Sequence, residues 1–172
     1  DVDPVSFTMA PEAVEAAITD KTVAILPVHL GGHPADMDAL NAIAKKYNLA
    51  VIEDCAQAHG AEYKGRKVGA LGDVGAFSFQ SSKNLTSGEG GCLVTNNEEV
   101  WSRAYAFKDV GRRPGGERWE YPRLGWNYRA SEYLAAMLQV RLTKLEEQTQ
   151  LRNENAIYLS ECLDDIGGIT PP

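Results

Sequence analysis

The sequence predicts an α/β layered domain, on three observations. Two apolar runs rich in β-branched residues, Thr22 to Val28 and Leu49 to Ile52, bracket a helical pattern. Such a strand–helix–strand unit pairs its strands in parallel through a right-handed crossover. Strand and helix patterns keep alternating downstream, as layered α/β domains require. Polar residues also collect just where strands end, at Glu53-Asp54 and at Ser78, and open α/β sheets bind ligands at the carboxyl ends of their strands.

Taken in order, Pro11 to Ile18 reads as a short helix, with proline in its first turn and Thr8 as its cap. Thr22 to Val28 is a strand buried on both faces. A Gly-Gly-His-Pro loop follows, and Asp36 then caps a helix whose apolar stripe is Met37, Leu40, Ile43, Ala44 and Tyr47. Leu49 to Ile52 is the second buried strand. Beyond a glycine-rich stretch come short strands at Val74–Phe79 and Cys92–Thr95. A helix capped by Asn96 or Asn97 runs to about Phe107, residues 108–130 form a loop, and Ser131 opens one long helix reaching roughly Leu163. Residues 1–130 are expected to belong to one layered domain, with 131–172 a long helix leading out of it. Asp1-Val2-Asp3-Pro4 reads as mid-chain, and Gly167-Gly168 with Pro171-Pro172 as a junction to a further domain, so a fragment is expected.

Composition narrows the function. A formal net charge of −7 argues against gripping nucleic-acid phosphates. No stretch has the apolar length of a membrane span, and no signal-peptide pattern opens the chain. Cys55, Cys92 and Cys162 are an odd number at unrelated spacings, which suggests neither a disulfide framework nor a zinc site and points to a reducing, cytoplasmic setting. Asn84-Leu85-Thr86 matches a glycosylation acceptor, idle in that compartment. His29 and His33 stand four apart, but Gly31-Gly32 between them rules against a rigid helical metal site. Both read as loop residues, and no metal is expected. The basic cluster Arg112, Arg113, Arg118 and Arg123 fits a solvated loop or an anion site equally well. No G-x-x-x-x-G-K-[ST] string occurs, so a nucleotide-triphosphate loop is not supported.

Two strings carry chemistry. The first runs Glu53-Asp54-Cys55-Ala56-Gln57-Ala58-His59-Gly60-Ala61 and sets a carboxylate at a strand end among small residues. A carboxylate there can pair with a protonated ring nitrogen, as pyridoxal phosphate (PLP) requires, or simply cap the next turn. The second, Phe77-Ser78-Phe79-Gln80-Ser81-Ser82-Lys83-Asn84-Leu85-Thr86-Ser87-Gly88-Glu89-Gly90-Gly91, puts a lysine among hydroxyl-bearing residues and glycines. Glycines let the backbone approach a bulky flat group closely.

With the Thr22–Leu30 run, the Gly32-His33-Pro34-Ala35-Asp36-Met37-Asp38 turn and Gly125-Trp126-Asn127-Tyr128-Arg129, these strings resemble the DegT/StrS sugar aminotransferases over nearly the whole chain. The resemblance implies the large domain of the aspartate aminotransferase-type fold (fold type I), here without its N-terminal segment and its small domain. It implies Lys83 as the lysine that carries PLP, Asp54 as partner of the pyridine nitrogen, Gln57 against the ring and Ser78 on the phosphate. Asn127 would reach that phosphate from the other subunit of a homodimer, or else sit in a turn packed within its own chain. The implied reaction moves an amino group from glutamate or glutamine to a keto sugar, a nucleotide-linked keto hexose, in amino-sugar, cell-surface polysaccharide or antibiotic biosynthesis. Burial and the cationic ring nitrogen would favour a lowered lysine pKa. The alternative acceptor is a keto-cyclitol of the scyllo-inosose type. Two other readings are PLP dehydratases, in which histidine replaces the lysine, and a PLP sensor without turnover. Lys83 argues against the first, and the set Asp54, Gln57, Ser78 and Lys83 against the second.

Overall fold

The computed structural model describes residues 1–169 and 171. Thr170 and Pro172, part of the expected junction at the end of the 131–172 segment, lie outside the described residues. The centre of the fold is a four-stranded sheet in the order β1 (Ala24–Ile25), β2 (Ala50–Asp54), β5 (Val74–Ser78), β6 (Gly91–Val94). β1, β2 and β5 are parallel, and β6 runs antiparallel to β5. A small hairpin joins β3 (Glu62–Tyr63) to β4 (Arg66–Lys67). Lys64 and Gly65 make its turn with φ of 51° and 75°, the left-handed pair that matches strand twist.

The helices are α1 (Pro11–Ala17), α2 (Met37–Tyr47), α3 (Glu98–Lys108), α4 (Glu132–Leu142) and α5 (Leu145–Asp164). Asp36 caps α2 as expected, accepting from the Ala39 N–H at 3.2 Å. Asn97 caps α3, accepting from Glu99 and Val100. Met37, Leu40 and Ala44 of α2 bury against Ile25 and Val51, forming the principal core. A second cluster, Cys55, Ala58 and Val68, continues that layer towards Phe77.

Four details depart from the sequence reading. Thr8 does not cap α1: the cap is Ala10, without a side-chain bond, and Thr8 is buried with its hydroxyl on Ser6. The strand from Thr22 to Val28 shrinks to Ala24–Ile25 plus a lone bridge from Val28 to Asp54. Pro27 intervenes, and a residue without an N–H interrupts the ladder. Only one face of that stretch is covered, since Ile25 and Pro27 are buried while Leu26 between them is 50% exposed. The single helix expected from Ser131 breaks between α4 and α5. There the Thr143 hydroxyl donates to the Val140 carbonyl at 2.8 Å and Lys144 bonds back to Arg141. A hydroxyl that claims a backbone carbonyl competes with the helical ladder.

Candidate active site

Side chains alternate across a strand, and that alternation builds the site. Val51 and Glu53 point to the α2 side, while Ile52 and Asp54 point to the other. In the register, Asp54 stands opposite Ala76, with Ser78 two residues further along β5 on the same face. Leu26, Ile52, Asp54, Ala76 and Ser78 accordingly line one hollow of about 260 Å³. Asp54 Oδ1 accepts from the Ala56 N–H at 2.9 Å, so the alternative reading as a turn cap is partly realised. The Ser78 hydroxyl accepts from the Gln80 N–H at 3.3 Å.

Gln57 leaves the end of β2 and Lys83 leaves the end of β5, at the same edge of the parallel pair. With Gly31, Ser82 and Asn84 they line a neighbouring hollow, also of about 260 Å³. Gln57 Oε1 accepts from the Gly31 N–H at 2.7 Å. The lysine loop is closed on itself: the Phe79 N–H donates to the Gly90 carbonyl, the Ser87 N–H to the Phe79 carbonyl, and the Thr86 hydroxyl to that carbonyl as well. Leu85, Thr86 and Ser87 are buried beneath it. Lys46, Lys64 and Lys67 are held in ion pairs with Glu15, Asp38 and Glu62. Among the described residues Lys83 has no such partner.

Asn127 lines neither hollow. It bridges Asp109 in antiparallel fashion, and its Oδ1 accepts from Arg129 Nε at 2.9 Å. The loop is anchored by the Trp126 N–H on Phe107 and the Tyr128 N–H on Lys108. Gly125 is required there, because a Cβ would fall 2.2 Å from the Gly111 nitrogen. Within the basic cluster, exposed Arg113 bonds both oxygens of Glu120 at 2.9 Å, which favours the solvated-loop reading for it, while Arg112 is half-buried over Tyr121 with its Nε unpartnered among the described residues.

Sequence reasoning missed two histidines. His29, read as a loop residue, is fully buried and bonds Glu53 through Nε2 at 3.0 Å. Its Nδ1 accepts the Ala35 N–H, which places the ring proton on Nε2 and makes Glu53 the acceptor. Glu53 also takes the N–H groups of Gly69, Leu71 and Gly72, each at 2.7 Å. Burial pushes its carboxyl upward, but the His29 bond and these backbone donors outweigh it and hold the group below the usual carboxylate range. A charged residue in an otherwise apolar strand was the signal for such a partner. Cys55 lies near this pair, but burial and the charges of Glu53 and Asp54 push its thiol up to about 12. Both ring nitrogens of His29 and both oxygens of Glu53 are already committed to hydrogen bonds, which leaves the trio no free nitrogen or carboxylate oxygen for a metal. The second missed residue, His59, is 5% exposed between Phe77 and Phe79, and neither ring nitrogen has a partner among the described residues. Burial pushes its pKa down and the Lys83 charge adds to this, against an opposing pull from the Ser78 backbone. His33, by contrast, is a loop residue at the surface, as expected.

Fold and site together define a large domain of the fold type I class, with a carboxylate, a hydroxyl, an amide and a lysine gathered at one edge of its sheet. The model of the DegT/DnrJ/EryC1/StrS aminotransferase family matches residues 1–172, and the chain belongs to that family. It is similar to the L-glutamine:2-deoxy-scyllo-inosose aminotransferase of Streptoalloteichus tenebrarius, 47% identical over 176 residues, covering 97% of this chain and 42% of the relative. Among solved structures it is similar to the aminotransferase from Psychrobacter cryohalolentis, with 42% identity and a TM-score of 0.91 over 95% of this chain and 44% of that one. It is also similar to the E coli GDP-4-keto-6-deoxy-D-mannose-3-dehydratase with bound hydrated PLP, with 27% identity and a TM-score of 0.89 over 96% of this chain and 47% of that one. The chain thus spans about two fifths of the length of the curated relative. No helix among the described residues is long and apolar enough to cross a membrane.

Proposed function

We propose that the intact protein is a PLP-dependent aminotransferase that passes an amino group from glutamine or glutamate to a keto sugar or keto-cyclitol. The observation that carries this reading is the placing of Asp54 and Ser78 in one hollow, with Gln57 and Lys83 in the next, at one edge of the sheet. The residues fit PLP: Asp54 lines its hollow with Oδ1 bonded only to a neighbouring backbone N–H, and Lys83 is free of any ion pair among the described residues. Bound there, the cofactor would supply an electron sink for the donor's α-carbon.

Each side chain then has a task. The Asp54 carboxylate keeps a proton on the ring nitrogen, and the Ser78 hydroxyl donates to a phosphate oxygen. The Gln57 amide, its orientation fixed by the Gly31 N–H, would lie against the ring. The Lys83 amine would tether the cofactor and would serve as the base for the proton on the donor's α-carbon. The protein works in the cytoplasm as a homodimer, and Asn127, exposed in an anchored loop, reaches the partner's phosphate site. Residues 131–172 lead on to a small domain.

For the acceptor, both the expected nucleotide-linked keto hexose and the alternative keto-cyclitol stay in play, and likeness of sequence draws attention to the cyclitol. The relative that is 47% identical is named for 2-deoxy-scyllo-inosose and for L-glutamine, which also favours glutamine as donor. The test is an acceptor screen with glutamine and glutamate, comparing 2-deoxy-scyllo-inosose with nucleotide-linked 3- and 4-keto hexoses. Amine formed on the cyclitol from glutamine supports the reading. No amine on any ketone, by a protein that binds PLP, would overturn it.

A further inference from the structure

The buried pair His29–Glu53 bonds only to other groups of the chain among the described residues, and it is tied to β2 directly and to β5 through the turn Gly69–Gly72. Glu53 is the residue before Asp54, and its side chain goes to the opposite face. It grips the turn Gly69–Gly72 through three backbone N–H groups. That turn lies directly on β5: a Cβ on Gly75 would fall 2.4 Å from the Gly69 Cα, leaving no slack between the two. Ser78 is three residues further along the same strand. His29 completes the frame. Its ring donates to Glu53, while its backbone N–H donates to the Asp54 carbonyl at 3.1 Å, and the Asp54 N–H donates to the Pro27 carbonyl at 2.8 Å. A shift of the imidazole therefore pulls on Asp54 through its neighbour's side chain and through the main chain together.

We propose that His29 and Glu53 are positioning residues, which set the Asp54 carboxylate against the Ser78 hydroxyl at the spacing the cofactor needs. The inference rests on the aminotransferase reading of the site. Placement errors of about an ångström cost up to roughly a hundredfold in rate, so a frame that holds β2 both through the Glu53 side chain and along the Asp54 main chain has a functional consequence. A buried carboxylate needs donors wherever it sits. Here those donors are drawn from the segments that lead to Asp54 and Ser78.

Two substitutions separate positioning from plain stability. His29→Gln keeps an N–H at the reach of Nε2 and should preserve the bond to Glu53. His29→Asn keeps an acceptor near the Nδ1 position but withdraws the donor from Glu53. In the intact protein, H29Q should bind pyridoxal phosphate with nearly wild-type affinity and visible absorption. H29N should bind it about tenfold more weakly, with an altered pH dependence of the absorption band, because Asp54 no longer meets the ring nitrogen squarely. If folded H29N keeps the wild-type affinity and spectrum, whatever its melting temperature, the proposal is overturned. Should H29N fail to fold, the wild type decides. The His29 Nε2–H resonance must shift on adding pyridoxal phosphate and hold still with inorganic phosphate, and an unmoved resonance also overturns the proposal. A wild type that binds no pyridoxal phosphate and transfers no amino group would sink the aminotransferase reading and this inference together. Normal H29N binding beside an active wild type sinks the inference alone.

Discussion

Replacing Glu53 by glutamine tests the buried frame by stability, apart from any catalysis. The carboxylate offers both oxygens to donors: Oε1 takes Leu71 and Gly72, Oε2 takes Gly69 and His29. An amide has only one oxygen, so whichever way the new side chain turns, its NH₂ end faces two N–H groups. His29 cannot adapt by moving its ring proton, because Nδ1 already accepts from Ala35. Two donors left without acceptors cost about 1–3 kcal/mol each, and shedding the buried charge returns part of this, so roughly 2–5 kcal/mol should be lost. That is a large share of a typical stability of about 5–15 kcal/mol. The assay is urea unfolding, where the midpoint should fall without a change in slope. The acid limb gives a second reading. Because the folded carboxyl lies below its ordinary value of 4.5, its contribution is complete above that pH and is lost as the pH falls through the folded value. Glu53→Gln should therefore be less stable at neutral pH, with a flatter decline on acidification. A midpoint equal to wild type, or an unchanged acid limb, refutes the argument.

Three further outcomes follow from the site and its surroundings. Borohydride reduction of the PLP-loaded protein should fix the cofactor on the peptide containing Lys83, and Lys83→Ala should abolish transfer; label on Lys64 or Lys67, held in ion pairs with Asp38 and Glu62, would refute the assignment. Asp54→Asn should reduce the rate by at least about a hundredfold with near-normal melting, and an unfolded variant whose residual folded fraction turns over normally would contradict the electronic role. His59→Phe should raise stability by about 1–3 kcal/mol, because it removes two buried nitrogens without partners among the described residues; since burial lowers the imidazole pKa, wild type should lose more stability than the variant as the pH falls from about 6.5 towards the carboxylate range, and parallel pH curves across that window would refute this.

What was legible in the sequence was local or periodic. Asp36 and Asn97 act through groups two or three residues away, so their caps could be read directly. The apolar stripe of α2 and the strand–helix–strand unit follow from repeat lengths of side-chain direction. The lysine and aspartate strings showed a lysine and a carboxylate beside strand ends, but the roles of Lys83, Asp54, Gln57 and Ser78 came from the resemblance. The losses were of another kind. The Thr143 break depends on one hydroxyl finding a carbonyl, and periodicity carries no trace of that. The Lys64-Gly65 hairpin has strands of two residues, too short to show alternation. His29 reaches Glu53 across 24 positions of sequence, and only the fold brings them together. Asn127 was placed by resemblance alone: its own chain holds it beside Asp109 and Arg129, so its meeting with a phosphate depends on a second subunit.

That role for Asn127 yields to a mixing experiment, because the two halves of a shared site sit on different lesions. Lys83 lies in a loop closed by its own backbone, so a Lys83→Ala subunit loses only the amine. Asn127 is exposed and, among the described residues, its side chain bonds only Arg129, so Asn127→Asp should leave the fold intact while setting a negative charge against the partner's phosphate. Each variant should be nearly inactive by itself. In a heterodimer one site then carries both lesions and the other neither. With random exchange of equal amounts, about half of the dimers are mixed and each holds one intact site, so activity should return to roughly a quarter of wild type, on the shared-site geometry of a two-fold dimer. Activity that stays at the level of the parents, in a mixture shown by mass spectrometry to have exchanged, would place Asn127 in its own subunit's site or outside the site altogether.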